Sequence, residues 1–265
     1  MTALKDLPPL QVDTDDPRFK NGAAILFSGG ADSTLAACRL AEVFPVVHLI
    51  TYQRKGFIEK ISTPRVDRMR AVYPRTTFLQ HRINYERIYE DVEGYQRFRN
   101  MWHYGQLTGV PCGPCKVAMH WRNLVFCKEN DVGWAADGAA AGNEWFAEQN
   151  PRILVDNLRE LYGEFGVSLL HPVFYEGLST EHGLYELGIV DTPKVKRTRE
   201  DKQVVCSQQI MLAMYMRKYL ETHTFEEYEE MSRRYLEGKL DHVRDLMTEH
   251  MTADGSGSRL SRLLE

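Results

Sequence analysis

Ala23-Ala24-Ile25-Leu26-Phe27 is an unbroken apolar run that stops at Ser28-Gly29-Gly30. That is the pattern of a buried strand ended by a tight turn. From Ser33 to Val43 the apolar residues Leu35, Cys38, Leu40 and Ala41 fall close to helical spacing, and Val46-Val47-His48-Leu49-Ile50 is a second strand-like run. Strand, glycine turn, helix, strand is a βαβ unit, the seed of a parallel sheet. Further along, Thr76 to Ile83 predicts a strand and Lys116 to Asn130 a helix. Trp134 to Gly138 predicts a strand running into a loop, Ile153 to Phe165 an amphipathic helix, and Val167 to Leu170 a strand ending before Pro172. Residues 84–110 mix aromatic and charged positions without a period and predict helix and loop. Ser207 to Glu221 reads as a helix, Thr224 and Glu227 fit a capping box, and Gly238 can end the helix that box begins. No internal repeat is present.

The expected organisation is an irregular arm over 1–20, an α/β domain over 21–205, a helical C-terminal segment over 206–252 and a flexible tail over 253–265. Composition agrees: 43% hydrophobic and 26% charged residues in a chain of 265 exclude global disorder. No apolar run approaches the ~18–20 residues that span a bilayer, and the start, MTALKDLPPLQVDTDDPRFK, has no apolar signal core. A cytoplasmic protein with no membrane partner is expected. The net charge of −4 argues against a large nucleic-acid footprint. It hides an asymmetry, however: Arg54 to Arg99 carries a local +5 and Glu221 to Glu249 a local −5. The basic stretch can meet an anionic substrate or be a solvated surface.

The turn Phe27-Ser28-Gly29-Gly30-Ala31-Asp32-Ser33-Thr34 carries the most information. It links strand to helix, where successive backbone N–H groups and the helix dipole favour an anion. Two glycines let the backbone approach phosphate oxygens, and Ser28, Ser33 and Thr34 can donate hydroxyl hydrogen bonds. There is no GxxxxGK[ST] and no GxGxxG, so neither a Walker A loop nor a dinucleotide fingerprint is present.

Five cysteines, an odd number, argue against a disulfide framework and for metal or redox chemistry. Cys112 and Cys115 form a CxxC beside a helix start, which favours thiolate character. That spacing suits one metal or cluster, a redox pair, half a zinc site, or two incidental thiols. Cys38 and Cys127 sit at apolar helix positions and read as core. Cys206 lies 91 residues after Cys115 and opens a helix, so it too can be a low-pKa thiol. Lys194, Lys196, Arg197 and Arg199 form a cationic run beside it that is either exposed or faces phosphates. His103, His120, His171 and His182 show no HExxH or HxH pairing and read as ordinary structural or surface histidines. The aromatics around Trp102-His103-Tyr104 can stack on a base or serve as core or lid.

The hexapeptide Ser28-Gly29-Gly30-Ala31-Asp32-Ser33 resembles the SGGxDS signature of the PP-loop ATP pyrophosphatase superfamily. The resemblance implies a Rossmann-like α/β fold (adenine nucleotide alpha hydrolase-like), a parallel sheet with helices on both faces and a helical C-terminal segment. It also implies that the loop holds the pyrophosphate part of ATP with Mg²⁺, Asp32 organising metal and phosphates, and that AMP is transferred to a substrate oxygen. Cys112, Cys115 and Cys206 are similar in layout to the sulfur-transfer branch, a mid-chain CxxC followed by a late cysteine. In its tRNA-thiolating members three such cysteines hold a [4Fe-4S] cluster with one iron open to hydrosulfide. Cys112-Gly-Pro-Cys115-Lys116-Val-Ala-Met119 also looks like the CxxCKxxM stretch of tRNA 4-thiouridine synthases, without their RNA-binding modules. The order of loop, CxxCK, DG and late cysteine is similar to the sulfur-insertion enzymes of nickel-pincer cofactor synthesis. Asp137 and Gly138, with Asn143 nearby, are similar to the second loop of these families, beside the adenylate, and can also be a strand-end turn.

The resemblance thus implies an ATP-dependent sulfurtransferase acting on a nucleobase, in tRNA or free, or on a related small molecule. Its sulfur would come from a cysteine desulfurase or sulfide, and a homodimer is admitted. The alternatives are a zinc-holding ligase like the 7-cyano-7-deazaguanine synthases, whose full four-cysteine set this chain lacks, and a nucleotide-binding module without turnover.

Overall fold

Ala23–Leu26 (β1) is followed by Ala31–Ala41 (α1), Val46–Gln53 (β2), Thr63–Val72 (α2) and Thr77–Asn84 (β3). Glu86–Gly94 (α3), Arg97–Tyr104 (α4) and Cys112–Glu129 (α5) come next, then Trp134–Ala136 (β4), Asp156–Glu164 (α6) and Ser168–Leu170 (β5). Thr180–Glu186 (α7), Gln208–Tyr219 (α8), Phe225–Thr252 (α9) and Arg259–Leu264 (α10) complete the chain. The computed structural model describes residues 4–54, 63–105, 112–192, 208–252 and 258–264. Cys206 and the cationic run Lys194, Lys196, Arg197 and Arg199 lie outside them.

The chain divides into two units. The first comprises Met1–Asn84, Asn123–Asn143 and Tyr162–Val205 and holds the whole sheet. The second comprises Tyr85–Arg122, Glu144–Leu161 and Cys206–Glu265.

Among the described residues of the first unit five strands pair in parallel in the order β3-β2-β1-β4-β5, a Rossmann-like α/β sheet. β1 is central, which explains its continuous apolar sequence: a parallel strand flanked on both edges and covered on both faces has no solvent side. β3 is an edge strand, and of its residues only Phe78 is fully buried. α1 buries Leu35, Ala36, Ala37, Cys38 and Leu40 in a core with Phe44, Leu49, Val66 and Met69. The direction of winding reverses between β1 and β4. In open sheets of this kind the crevice for ligands opens there, beyond the carboxyl ends of the strands.

In the second unit α9 is a continuous helix of 28 residues. Its start is the expected capping box: Thr224 N donates to Glu227 Oε2 at 2.8 Å and Glu227 N to Thr224 Oγ1 at 3.2 Å. Gly238 does not end this helix. It lies exposed in the middle of it, because the flanking Tyr235, Leu236, Lys239 and Leu240 are all buried and hold the turn in place. Lys239 is buried, donating to the carbonyls of Glu93 (3.1 Å) and Tyr95 (2.7 Å) at the carboxyl end of α3, with its ammonium over the Tyr95 and Tyr235 rings. His242 stacks on Tyr95 and pairs with Asp91 at 2.5 Å. Arg259 also pairs with Asp91. The stretch expected as a flexible tail therefore contains a docked helix, α10, with Leu260 fully buried.

Candidate nucleotide site

Gly29 adopts φ 74°, a conformation that side-chain-bearing residues rarely take, and this bends the chain from β1 into α1. Gly30 is the N-cap and supplies no side-chain cap, so the first N–H groups of α1 keep no side-chain partner from the cap residue. Ser28 is exposed, and its Oγ accepts from Gly30 N (3.3 Å) and lies 3.1 Å from Ser33 Oγ. Ser33 and Thr34 donate to the Gly30 carbonyl at 3.3 and 2.6 Å. The buried Thr34 hydroxyl thus acts within the helix start, whereas Ser28 and Ser33 stand together on the turn.

Asp32, in the first turn of α1, accepts from Thr180 Oγ1 at 2.7 Å. Burial pushes its carboxyl above the usual carboxylate range; the Thr180 hydrogen bond opposes that, and nearby Glu181 adds to it. Arg65, from the basic stretch and α2, donates to the Gly29 carbonyl at 2.8 Å and so brings a cation to the turn.

The loop after β4 closes the other side. A Cβ at Gly138 would fall 2.7 Å from Ser33 N, so Gly138 is pressed against the start of α1. Asp137 is buried, and its Oδ1 accepts from Ala139 N (3.0 Å) and from His171 Nδ1 (2.7 Å). His171 is the residue after β5, whose last carbonyl, that of Leu170, accepts from Asp137 N at 3.3 Å. The Asp137 and His171 side chains are 2% and 3% exposed, so the pair is dry and the hydrogen bond is worth more than at a surface. An ionised Asp137 fixes the proton on Nδ1 and leaves Nε2 of a neutral ring as an acceptor. Nε2 is buried and has no hydrogen-bond partner among the described residues.

The structure therefore brings Ser28, Gly29, Gly30, Asp32, Ser33, Asp137 and Gly138 to the carboxyl ends of β1 and β4 in the first unit. His171, Thr180 and Arg65 join them; the sequence reading gave His171 an ordinary structural or surface role and named neither Thr180 nor Arg65. Thr180 and Asp32 are 148 residues apart, so no local pattern links them. His171 did carry a signal, its place immediately beyond a strand.

Cys112 and Cys115 belong to the second unit and form the first turn of α5 rather than a segment preceding it. Cys112 is half-buried, and Cys115 is buried with its Sγ 3.1 Å from the Tyr85 hydroxyl. Among the described residues no group of three or more His, Cys, Asp or Glu is arranged to hold a metal ion, and Cys206 is outside that set. Cys38 and Cys127 are core residues whose thiols burial pushes well up. His103 is exposed, His120 is buried, and His182 lies 3.3 Å from Glu186. Among the described residues no helix is long and apolar enough to cross a membrane.

No protein-family model matches the chain, and no curated protein does. Among solved structures it is similar to the NMN synthetase from Francisella tularensis, with 11% identity, a TM-score of 0.45, and 84% of this chain and 86% of that one covered. It is also similar to a 4-thiouridine synthetase solved as an RNA complex with bound ATP, with 13% identity and a TM-score of 0.41. There 85% of this chain is covered but only 54% of the other, so the chain spans about half of that protein.

Proposed function

We propose that the chain binds ATP at the turn of residues 28–34, transfers AMP to a carbonyl oxygen of an acceptor and inserts hydrosulfide sulfur at the activated carbon, the C–O bond breaking as AMP leaves with that oxygen. The observation that supports this reading best is the seating of Gly138 against the uncapped start of α1, at the point where the sheet reverses direction. A helix start, two hydroxyls and Arg65 converge there on one small volume, the donor set that a diphosphate requires.

The α1 N–H groups and the Ser28 and Ser33 hydroxyls hold the leaving diphosphate, and Arg65 offsets its charge. The acceptor oxygen attacks the α-phosphorus, the bond to the bridging oxygen breaks, and pyrophosphate leaves. The Asp137–His171 pair offers Nε2 to the nucleotide or to the acceptor as a hydrogen-bonding atom of fixed tautomer. The Asp32 carboxylate and the two serine hydroxyls are the hard oxygen donors that Mg²⁺ takes, and the ion would supply charge neutralisation on the phosphates. Two thiols three residues apart in one helical turn suit one edge of an iron–sulfur cluster. With Cys206, Cys112 and Cys115 would hold [4Fe-4S], which when bound supplies an open iron for hydrosulfide.

Pyrophosphate release from Mg·ATP in the presence of total tRNA or a mixture of nucleobases tests the adenylation. Asp32→Ala and Ser33→Ala are each expected to abolish it; release at the wild-type rate in both would overturn the assignment of the turn.

A further inference from the structure

Helix α4 leaves its apolar face uncovered. Phe98 is 87% exposed, Trp102 89% and Met101 51%, and the i, i+3, i+4 spacing puts all three on one side. This exposure excludes a core role for Trp102. The helix is held from elsewhere: the Tyr104 ring packs against Tyr235 of α9 at 5.4 Å. Arg97 and Arg99 fall on the two flanks of the apolar stripe, with Arg97 lying 3.7 Å from Glu93.

Charge selects the occupant. From Gly94 to Lys128 the chain has five Lys/Arg and no Asp or Glu, in a protein of net charge −4. The Tyr104 side of α4 instead borders a cleft of about 460 Å³ where Glu226, Glu227 and Glu230 of α9 outnumber Arg234, which is itself paired with Glu230. A polyanion is therefore turned away from that side and drawn to the arginine-flanked rings. A second copy packed across a two-fold axis would set these arginines against each other with no acid on the helix to meet them. A bilayer would gain little from three side chains on a helix of eight residues. Two neighbouring, nearly fully exposed rings between cations are what unstacked bases and their phosphates fit, and a duplex offers no free base face.

We propose that α4 is a docking surface for a single-stranded stretch of RNA, Phe98 and Trp102 each taking a base and Arg97 and Arg99 the adjoining phosphates. The proposal deepens the adenylation reading by naming RNA as the carrier of the acceptor base, but its test uses no ATP, so either can fail alone. The full chain is titrated into a labelled mixed-sequence single-stranded RNA of twelve nucleotides, with fluorescence anisotropy read at several salt concentrations. Trp102→Ala is expected to weaken binding about 5- to 150-fold. The Arg97→Ser/Arg99→Ser double variant is expected to flatten the log–log salt dependence by about 1.4. All these side chains are exposed, and circular dichroism checks that the variants stay folded. Absence of binding, or binding that neither variant changes, overturns the proposal. So does a wild type that self-associates or binds phosphatidylserine vesicles through Trp102 while ignoring RNA.

Discussion

Replacing Gly138 by alanine probes the contact on which the nucleotide site is built. The new Cβ would lie 2.7 Å from Ser33 N and 3.0 Å from Asp32 C, both backbone atoms that no side-chain rotation can move. The shorter distance is about 0.7 Å inside ordinary van der Waals contact. Because φ at Gly138 is not in the left-handed region, the substitution adds no backbone strain and its effect is steric alone. Overpacking of this kind costs about 1–3 kcal/mol, about 2–12 °C in Tm for a domain of this size. The overlap can relax in two ways. Either the loop after β4 moves, taking Asp137 and His171 with it, or the first turn of α1 moves, taking its N–H groups. Both open the cradle, and ATP must then recover the same energy on binding, which weakens it by about 5- to 150-fold. Thermal unfolding with and without Mg·ATP reads both quantities, since ATP at a hundred times its Kd stabilises the wild type by about 2.7 kcal/mol. Gly138→Ala should melt lower, and at the same ATP concentration its ATP-induced stabilisation should fall to between about 1.8 and about 0.3 kcal/mol. The control is Gly238→Ala, exposed inside α9 with nothing near its Cβ position. It should gain about 0.5–1 kcal/mol and keep the ATP shift. A Gly138→Ala protein with wild-type Tm and wild-type ATP shift would refute the reasoning.

Three further outcomes are expected. Asp137→Asn removes the carboxylate that holds the His171 proton on Nδ1 and should slow pyrophosphate release about 10- to 100-fold, the worth of one charge-assisted hydrogen bond; equal rates would show that the tautomer does not matter. Burial holds the Lys239 amine down to about 8 from 10.5, with Glu93 and Asp91 opposing. Between those values the unfolded chain keeps a proton the folded chain has lost, so this group adds stability as pH rises from about 8 to 10.5. Urea midpoints of wild type minus Lys239→Met should therefore increase over that range, and a decrease would reverse the sign and sink the assignment. Anaerobically purified protein should carry about four iron and four sulfide per chain if the cysteines hold a [4Fe-4S] cluster, lost on Cys112→Ala; one zinc and no visible band would instead favour a zinc-holding ligase.

What could be read in advance follows from how local each cause is. The strand β1, its glycine turn and α1 are contiguous, and the Thr224–Glu227 box closes over three residues, so each is visible in sequence and present in the structure. Gly238 misleads because a helix-interior glycine costs only about 1 kcal/mol, less than the packing of its buried neighbours returns. Leu260 misleads in the opposite sense: a glycine- and serine-rich approach looks like a tail, yet Leu260 together with the Arg259–Asp91 pair docks a helix. The candidate site divides along the same line. Its turn is local, but its wall is made by parallel strands whose ends meet only once the order β3-β2-β1-β4-β5 is known. Given that order, every residue just past β1, β4 or β5 is on the ligand side by topology. His171 then needs no motif to be found: it is one residue beyond β5, and Asp137, one residue beyond β4, reaches it. The absence of an HxH or HExxH pattern therefore counted against the wrong thing. In a parallel sheet the partner of a site histidine lies on the neighbouring strand, here 34 residues away in sequence, and spacing along the chain carries no trace of it.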